Sequence, residues 1–327
     1  MWYVTGVALL GAIVLTGCQP SAPDLEQSLR ARLDSLEATT SLYAKHLPNG
    51  REVAVRADEP RNTLSVIKIP VMVLAYREAE AGRFNLDQRH TIRPEELRRG
   101  SGLLQTFAVG LAPTYRDLIM QMIITSDNTA TDILINRLGL ERVNAMLAEL
   151  GYRETRLRAT TGALFRGVWE QLDSAHARLR DREVYQRGFP GDSAAPARTF
   201  AFEGDSTKWL GRTTAREISR LLEQIHSGEL ASREHSDEMI RILRRQFYSS
   251  RLPRFLGFQR GVSGVAHKTG DWPPYAGNDV GIIYTAGGPI VVSIFVTQNR
   301  GSFLTLEETH GHVARDLVAA WAEGQIH

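Results

Sequence analysis

Three short motifs carry residues that could do chemistry together. A lysine follows a serine by three positions in Ser65-x-x-Lys68, and Ser126-Asp127-Asn128 and Lys268-Thr269-Gly270 come later in the chain. Positions i and i+3 of a helix share a face, so Lys68 lies against the Ser65 hydroxyl and can accept its proton once the pKa of the amine is lowered. The motifs predict a serine nucleophile that attacks a carbonyl group and becomes acylated.

Lysine is scarce in this chain, with four lysines against 35 arginines. A partly buried lysine can be tuned to act as a base, whereas arginine keeps its proton in proteins. Two of the four lysines lie in the motifs, and Lys268 is the candidate for the positive charge that lowers the pKa of Lys68. Lys45 and Lys208 are interpreted as solvated charges. By composition counting, the three motifs occur together by chance in about one chain in ten thousand.

The elements that must position these residues follow from the apolar pattern. A long helix at about 63–81 places Ser65 near its N-terminus, where free backbone N–H groups can face an oxyanion. Other helices are predicted at 24–37, 115–125, 129–138, 142–150, 213–227, 236–246 and 305–323. Strands are predicted at 41–47, 51–56, 264–269, 279–285 and 289–298. The strands combine into one antiparallel sheet, the helical middle forms its own layer, and a cleft is expected between them.

The N-terminus has the features of a secretion signal. Residues 4–15 are almost all apolar, too few to span a bilayer, and small residues follow them. Leu15-Thr16-Gly17-Cys18 resembles a bacterial lipobox, in which the signal is cut before the cysteine and the cysteine is lipidated. Cys18 is the single cysteine of the chain, so no intramolecular disulfide can form.

This pattern predicts where the protein is located. We expect a lipoprotein signal peptide at 1–17, a lipid anchor on Cys18, a tether at 18–23 and one catalytic domain at 24–327. The expected location is the cell envelope, anchored to the outer or the cytoplasmic membrane and facing the periplasm. Gln19 in second place fits outer-membrane sorting, while Met1-Trp2-Tyr3 lacks the positive charge that such signals usually carry.

Composition argues against several other classes of function. The net charge is +2 from 39 basic and 37 acidic residues, and no Lys/Arg run is long enough to attract a polyanion, so nucleic-acid binding is not expected. His310 and His312 lie two positions apart on a predicted helix, hence on different sides, so no metal site is expected. No cofactor is expected either, and the chain is expected to be a monomer.

The three motifs resemble those of the penicillin-recognising serine enzymes, most closely the class A β-lactamases. The resemblance includes residues 65–86, 101–105, 118–134 and 268–296, and it covers most of 40–158 and 212–322. It implies an α/β (α+β) fold of the β-lactamase/transpeptidase type, with a five-stranded antiparallel sheet flanked by helices and an all-helical subdomain. The α/β part is expected at about 24–60 and 212–327, and the helical part at about 61–211.

The resemblance also implies the roles of the acylating residues. Ser65 is the nucleophile, Lys68 accepts its proton, and Ser126 relays a proton to the leaving nitrogen. The backbone N–H groups of Ser65 and Asp271 form the oxyanion hole.

The remaining motif residues are assigned to substrate binding or to structure. Asn128 holds the amide side chain of the substrate, while Lys268 and Thr269 bind its carboxylate. Asp127 and Gly270 are interpreted as structural, the glycine because a close backbone approach needs the absence of a side chain.

The chain departs from this family in the loop that usually activates the deacylating water. The family glutamate lies about 36 residues after the serine of Ser-Asp-Asn, where this chain has Thr161-Gly162, and Glu-x-x-Leu-Asn is absent from the sequence. The loop is enlarged over about 159–211, and residues 152–211 are expected to be partly irregular with one helix at about 169–185. Asp132 stands where the family usually has an asparagine that anchors this loop.

Four glutamates are candidates for the missing base. They are Glu170 and Glu183, the preferred pair, and Glu154 and Glu203, which are less favoured.

Three functions remain open from the sequence. The first is hydrolysis of β-lactams by an acyl-enzyme on Ser65. The second is a peptidase or esterase acting on D-Ala-D-Ala or another peptidoglycan-related acyl substrate. The third is a penicillin-binding protein that is acylated without efficient deacylation, because turnover needs a base for the hydrolytic step.

Overall fold

A computed structural model describes residues 24–108, 110–179, 183, 192–257 and 259–322. Cys18 and the predicted signal peptide therefore lie outside the described residues. The described helices are all too short or too polar to cross a lipid bilayer.

A five-stranded antiparallel sheet forms one layer of the molecule. Its strands are β1 (Thr39–His46), β2 (Glu52–Val55), β6 (Val262–Trp272), β7 (Ala276–Thr285) and β8 (Gly288–Thr297). Their order across the sheet is β2-β1-β8-β7-β6, so the first strands of the domain pair with its last. This confirms the sheet that the sequence predicts.

Both faces of this sheet are covered by helices. The terminal helices α1 (Leu25–Asp34) and α10 (Phe303–Ala322) pack on one face and bury a cluster of aliphatic side chains. Helix α8 (Ala215–Ser227) packs on β1 and β8 from the other face. The central strand β8 is a near-continuous apolar run because both of its faces are buried.

The helical layer is built around α2 (Lys68–Glu80), which is apolar on nearly all sides and almost wholly buried. The helices that pack around it are α3 (Tyr115–Ile124), α4 (Asn128–Leu138), α5 (Leu140–Glu149) and α9 (Arg233–Leu243). A short 3₁₀ turn, Leu64–Ile67, precedes α2 and contacts β6. Through this contact the helical layer meets the edge strand of the sheet.

A small second sheet connects the two layers. Its strands are β3 (Arg61–Asn62), β4 (Arg156–Leu157) and β5 (Gly211–Thr213), in the order β3-β5-β4. Because β4 and β5 bracket the enlarged loop, its two ends are fixed close to the turn that carries Ser65.

The enlarged loop is more helical than the sequence predicts. Helix α6 spans Thr161–Leu172, so the helix expected at about 169–185 begins eight residues earlier. Thr160 caps α6, its side chain accepting a hydrogen bond from Ala163 N–H. A second helix, α7 (Ala195–Gly204), was not predicted, and most of residues 180–191 lie outside the described part of the chain.

Candidate active site

Ser65 lies at the mouth of a cleft between the two layers. It belongs to the 3₁₀ turn before α2, in which Leu64 takes a φ of 47°. A left-handed conformation is rare for a leucine and costs about 1 kcal/mol or more. Ser65 is half-buried, whereas Lys68, one turn later, is fully buried. The hydroxyl is accessible to a substrate and the amine is shielded from water.

Lys68 is held by the Ser-Asp-Asn motif. Its Nζ donates to Ser126 O (2.6 Å), Ser126 Oγ (3.2 Å) and Asn128 Oδ1 (2.8 Å). Burial and then the nearby cation of Lys268 hold the pKa of Lys68 well below its usual range. A lowered pKa makes the neutral, basic form of the amine accessible.

Local capping fixes the Ser-Asp-Asn motif in place. Asp127 is the N-cap of α4, and its carboxylate accepts hydrogen bonds from Ala130 N–H (2.9 Å) and Leu104 N–H (2.8 Å). Ser126 adopts a φ of 56°, and its hydroxyl lies beside Lys68. Asp127 thus has the structural contacts expected from the sequence.

The Lys-Thr-Gly motif lies on β6, behind the opposite wall of the cleft. Lys268 is fully buried, and this burial lowers its pKa to about 7. Its Nζ donates to Thr269 O (2.8 Å), while the buried Thr269 Oγ1 has no hydrogen-bond partner among the described residues. Consecutive residues of β6 therefore supply a buried amine and a hydroxyl without a hydrogen-bond partner among the described residues, two groups suited to an anionic ligand.

Gly270 brings the edge strand against the Ser65 turn. A Cβ at this position would lie 2.6 Å from Thr63 O and 3.3 Å from Ser65 N, so a side chain does not fit. The backbone of β6, including the next residue, Asp271, therefore passes directly beside the backbone of Ser65. Gly270 thus lets the strand that carries the Asp271 N–H approach the turn that carries the Ser65 N–H, a closeness that an oxyanion hole would need.

The cleft has a volume of about 580 Å³. Its lining includes predicted site residues, namely Ser65, Ser126, Asn128 and Asp271. Lys68, Lys268 and Thr269 lie buried behind this surface. The structure thus brings together all the residues that the three motifs assign to acylation and binding.

Sequence reasoning missed Arg251, a buried cation that also lines the cleft. Its guanidinium pairs with Asp271 and lies 3.7 Å from Glu307. Within the described chain its Nε and Nη1 atoms have no hydrogen-bond partner. Arg251 lies in an irregular segment between α9 and β6 without any motif, so no local sequence signal pointed to it.

A search against family models matches residues 24–321 to the model described as the β-lactamase enzyme family. The chain belongs to this family. Its membership and the geometry of the cleft support a serine β-lactamase-like function.

Individual relatives are distant from this β-lactamase family member. A β-lactamase regulatory protein from Streptomyces cacaoi is 24% identical over 52% of this chain, which spans about half (55%) of that protein. A β-lactamase from Streptomyces lavendulae is 29% identical over 66% of this chain and 71% of its own length. A β-lactamase structure from Sphaerobacter thermophilus matches with a TM-score of 0.72 and 25% identity, covering 90% of this chain and 95% of the other.

The place of the family's deacylating glutamate is filled differently in this β-lactamase family member. Asp132 accepts hydrogen bonds from Thr161 N–H (2.7 Å), Thr161 Oγ1 (2.8 Å) and Gly162 N–H (2.9 Å), and it pairs with Arg98 Nε (2.8 Å). A Cβ on Gly162 would lie 2.7 Å from Arg98 Nε. A glutamate side chain does not fit there unless Arg98 moves. Asp132 anchors the start of the enlarged loop, and its oxygens are fully engaged.

The structure does not bring Glu170 to the cleft. Glu170 lies on the outer side of α6, with its side chain 42% exposed and 3.9 Å from Arg166. It lines a separate surface pocket that also includes Lys208. The sequence favours Glu170 because it does not show that α6 starts at Thr161. This start turns the Glu170 carboxylate away from the cleft.

The other candidates have different surroundings. Glu203 is buried, which raises its pKa, and it accepts hydrogen bonds from Gln298 Nε2 (2.6 Å) and Asn62 Nδ2 (3.2 Å). Glu154 pairs with Arg212. Neither lines the cleft among the described residues. Glu183 is helical, and the residues on either side of it lie outside the described part of the chain.

Side chains that could bind a metal ion are not grouped together in the described residues. Among the described residues, no three His, Cys, Asp or Glu side chains are grouped to hold a metal ion.

Proposed function

We propose that this protein is a serine hydrolase in which Ser65 opens β-lactams by forming an acyl-enzyme. The observation that carries the proposal is the buried amine of Lys68, held 3.2 Å from Ser126 Oγ beneath the half-buried Ser65. The Ser65 oxygen forms a bond to the lactam carbonyl carbon, and its proton passes to Lys68. Ser126 then delivers its proton to the lactam nitrogen as the carbon–nitrogen bond breaks, and Lys68 replaces that proton on Ser126 Oγ with the one taken from Ser65.

Charge developing on the carbonyl oxygen is stabilised by backbone donors. The N–H groups of Ser65 and Asp271 are brought close by Gly270, and removal of one such donor typically costs about 10²–10³ in rate. No side chain has to reorganise for this interaction.

The lactam carboxylate binds on the β6 side of the cleft. Lys268 supplies the charge and Thr269 Oγ1 a hydrogen bond, because this hydroxyl has no partner in the described protein. The pKa of about 7 for Lys268 rises when an anion binds beside it, since the anion favours the charged amine.

A second candidate is a penicillin-binding peptidase or esterase that releases β-lactam acyl groups slowly. It is favoured by one observation, the occupation of the glutamate site by Thr161, Gly162 and Arg98. Without a base on that face of the ester, acylation is faster than hydrolysis.

One experiment tests both. Purified protein is incubated with benzylpenicillin while substrate loss and intact mass are followed. Continuous loss without a lasting adduct supports a β-lactamase, and a stable adduct of penicillin mass supports the second candidate. An adduct that persists in Ser65→Ala contradicts the proposal. If turnover occurs, Glu170→Gln, Glu183→Gln and Glu203→Gln identify any carboxylate that deacylation requires.

A further inference from the structure

We propose that the enlarged loop builds an aromatic site for the acyl side chain of the substrate, selecting an uncharged aryl group. The inference rests on the proposed acylation of Ser65 and specifies the substrate class for that site. It is carried by Phe165 of α6 and Trp272 of β6, whose rings lie nearly parallel across one end of the cleft.

Phe165 lies where an acyl side chain must leave the active site. A Cβ placed on Gly100 would be 2.6 Å from Asn128 Nδ2 and 2.9 Å from Phe165 Cζ. The tip of the phenyl ring is therefore next to the amide proposed to hold the amide group of the substrate. An acyl chain that extends beyond Asn128 contacts this ring first.

Trp272 stacks with Phe165 and extends the same aromatic surface, against which an aryl group can lie. It follows Asp271, so it lies one residue beyond the proposed oxyanion donor. Its ring is 6.3 Å from Phe165, centroid to centroid, at an interplanar angle of 17°, and 6.1 Å from the buried Phe202 at 21°. Phe202 fixes Trp272 from α7, so both helices of the enlarged loop contribute to this end of the cleft.

Charge separates this end from the carboxylate end. The cleft residues that the enlarged loop contributes are uncharged and include Thr161, Leu164 and Thr199; Lys208 lies 5.3 Å from the Phe202 ring but does not line the cleft. The charged lining residues, Arg251, Asp271 and Glu307, pair with one another. Asp271 and Trp272 are adjacent on a strand, so their side chains point to opposite faces. A charged acyl group would lose its hydration without gaining a partner at the aromatic end.

The test compares penicillins that differ only in the acyl group. The second-order acylation constant is measured with the full chain for benzylpenicillin, for 6-aminopenicillanic acid, which lacks an acyl group, and for carbenicillin, which adds a carboxylate. It is taken from kcat/KM if the enzyme turns over and from adduct growth if it does not. Benzylpenicillin is expected to react about tenfold faster than carbenicillin, whose added carboxylate loses hydration there, while 6-aminopenicillanic acid, which also lacks the amide assigned to Asn128, is the reference for the variants.

Two variants identify the site. Phe165→Ala and the milder Phe165→Leu lower the constant for benzylpenicillin about five- to tenfold and leave that for 6-aminopenicillanic acid unchanged. Phe200→Ala is the matched control. Phe200 is another phenylalanine of the enlarged loop, on α7, and it packs against Tyr275 and Arg300 outside the cleft.

The outcomes separate the two proposals. Equal constants for all three penicillins, or an equal loss for two of them in Phe165→Leu, overturn the aromatic site and leave acylation intact. No reaction of the wild-type protein with any penicillin overturns the proposed function, and the aromatic site with it.

Discussion

The two sides of the cleft differ in whether their polar groups have hydrogen-bond partners. On the β6 side, Thr269 Oγ1 and two nitrogens of Arg251 have no hydrogen-bond partner within the described chain. On the α6 side, the carboxylate of Asp132 accepts three hydrogen bonds and pairs with Arg98. Unpaired buried groups are costly unless a ligand satisfies them, whereas a fully engaged carboxylate is structural. One side is prepared for a substrate and the other supports the fold.

This comparison also separates the two halves of a hydrolase cycle. The groups that we propose to form an acyl-enzyme lie together, whereas Thr161, Gly162 and the Asp132–Arg98 ion pair occupy the position at which relatives would carry a deacylating glutamate. Substitutions on the two sides should therefore affect different measurements, activity on one and stability on the other.

The largest expected effect comes from the nucleophile. Ser65→Ala removes the atom that becomes acylated, so the acylation rate falls by at least about 10⁴-fold. It is measured by intact mass after exposure to benzylpenicillin. Ser227→Ala, at the exposed end of α8, is the control and keeps the wild-type rate. Adduct formation in Ser65→Ala at a comparable rate contradicts the assignment.

Lys68→Met is the next largest. It keeps an apolar chain of similar length and removes the base, so acylation slows by about 10³-fold. Lys45→Met is the matched control, because Lys45 pairs with Glu223 on the surface, 2.7 Å away. Equal rates in the two variants would exclude Lys68 as the proton acceptor.

On the α6 side, Asp132→Asn is expected to change stability. It breaks the pair with Arg98 and weakens the anchor of Thr161 and Gly162, which costs about 3 kcal/mol of unfolding free energy. Denaturant unfolding measures this loss. A variant that unfolds like the wild type would show that the engaged carboxylate contributes little to the fold.

Gly162→Ala has a smaller expected effect on the same side. Its new Cβ would lie 2.7 Å from Arg98 Nε, so Arg98 must move, at a cost of about 1–2 kcal/mol. Gly257→Ala is the control, since no atom lies within 4 Å of the Cβ built at that position. Thermal unfolding should rank Gly162→Ala below the control, and the reverse order contradicts the crowding argument.

The smallest expected effect is on the pH dependence of kcat/KM, and it concerns Lys268 on the β6 side. The carboxylate needs a protonated Lys268, whose pKa is about 7, so kcat/KM falls as pH rises above that value, by up to about tenfold per unit. Lys68 has the opposite requirement, because it must lose its proton, and it sets the rising limb. Lys268→Arg keeps its charge and should move the falling limb to higher pH. An unchanged limb in this variant assigns it to another group.

Much of the fold, and the grouping of the three motifs around one cleft, could be predicted from the sequence because the signals are local. Ser65 and Lys68 are three positions apart, and the strand pattern around Lys268 is continuous. Each motif lies in one short stretch of chain, namely the turn before α2, the start of α4 and strand β6. The pairing of the first and last strands follows because one sheet must bury both.

The rest depends on contacts between distant segments. Arg251 reaches the cleft from an irregular segment, and it faces Asp271 only because β6 passes beside it. The start of α6 is set by Thr160 and by Asp132, which lies 29 residues before Thr161 in the chain. The apolar periodicity of the sequence reveals neither contact. It therefore predicts a helix that begins too late in the chain, and it favours Glu170 as the base.

The backbone contact at Gly270 has a mechanical consequence. One proposed oxyanion donor, Ser65, belongs to the helical layer and the other, Asp271, to the sheet, and at Gly270 the two layers are so close that an added Cβ would lie 2.6 Å from Thr63 O. Their spacing therefore follows any displacement of one layer relative to the other. The rate of acylation should therefore depend on how the helical layer and the sheet are aligned. It should respond to shifts that are too small to disturb either layer on its own.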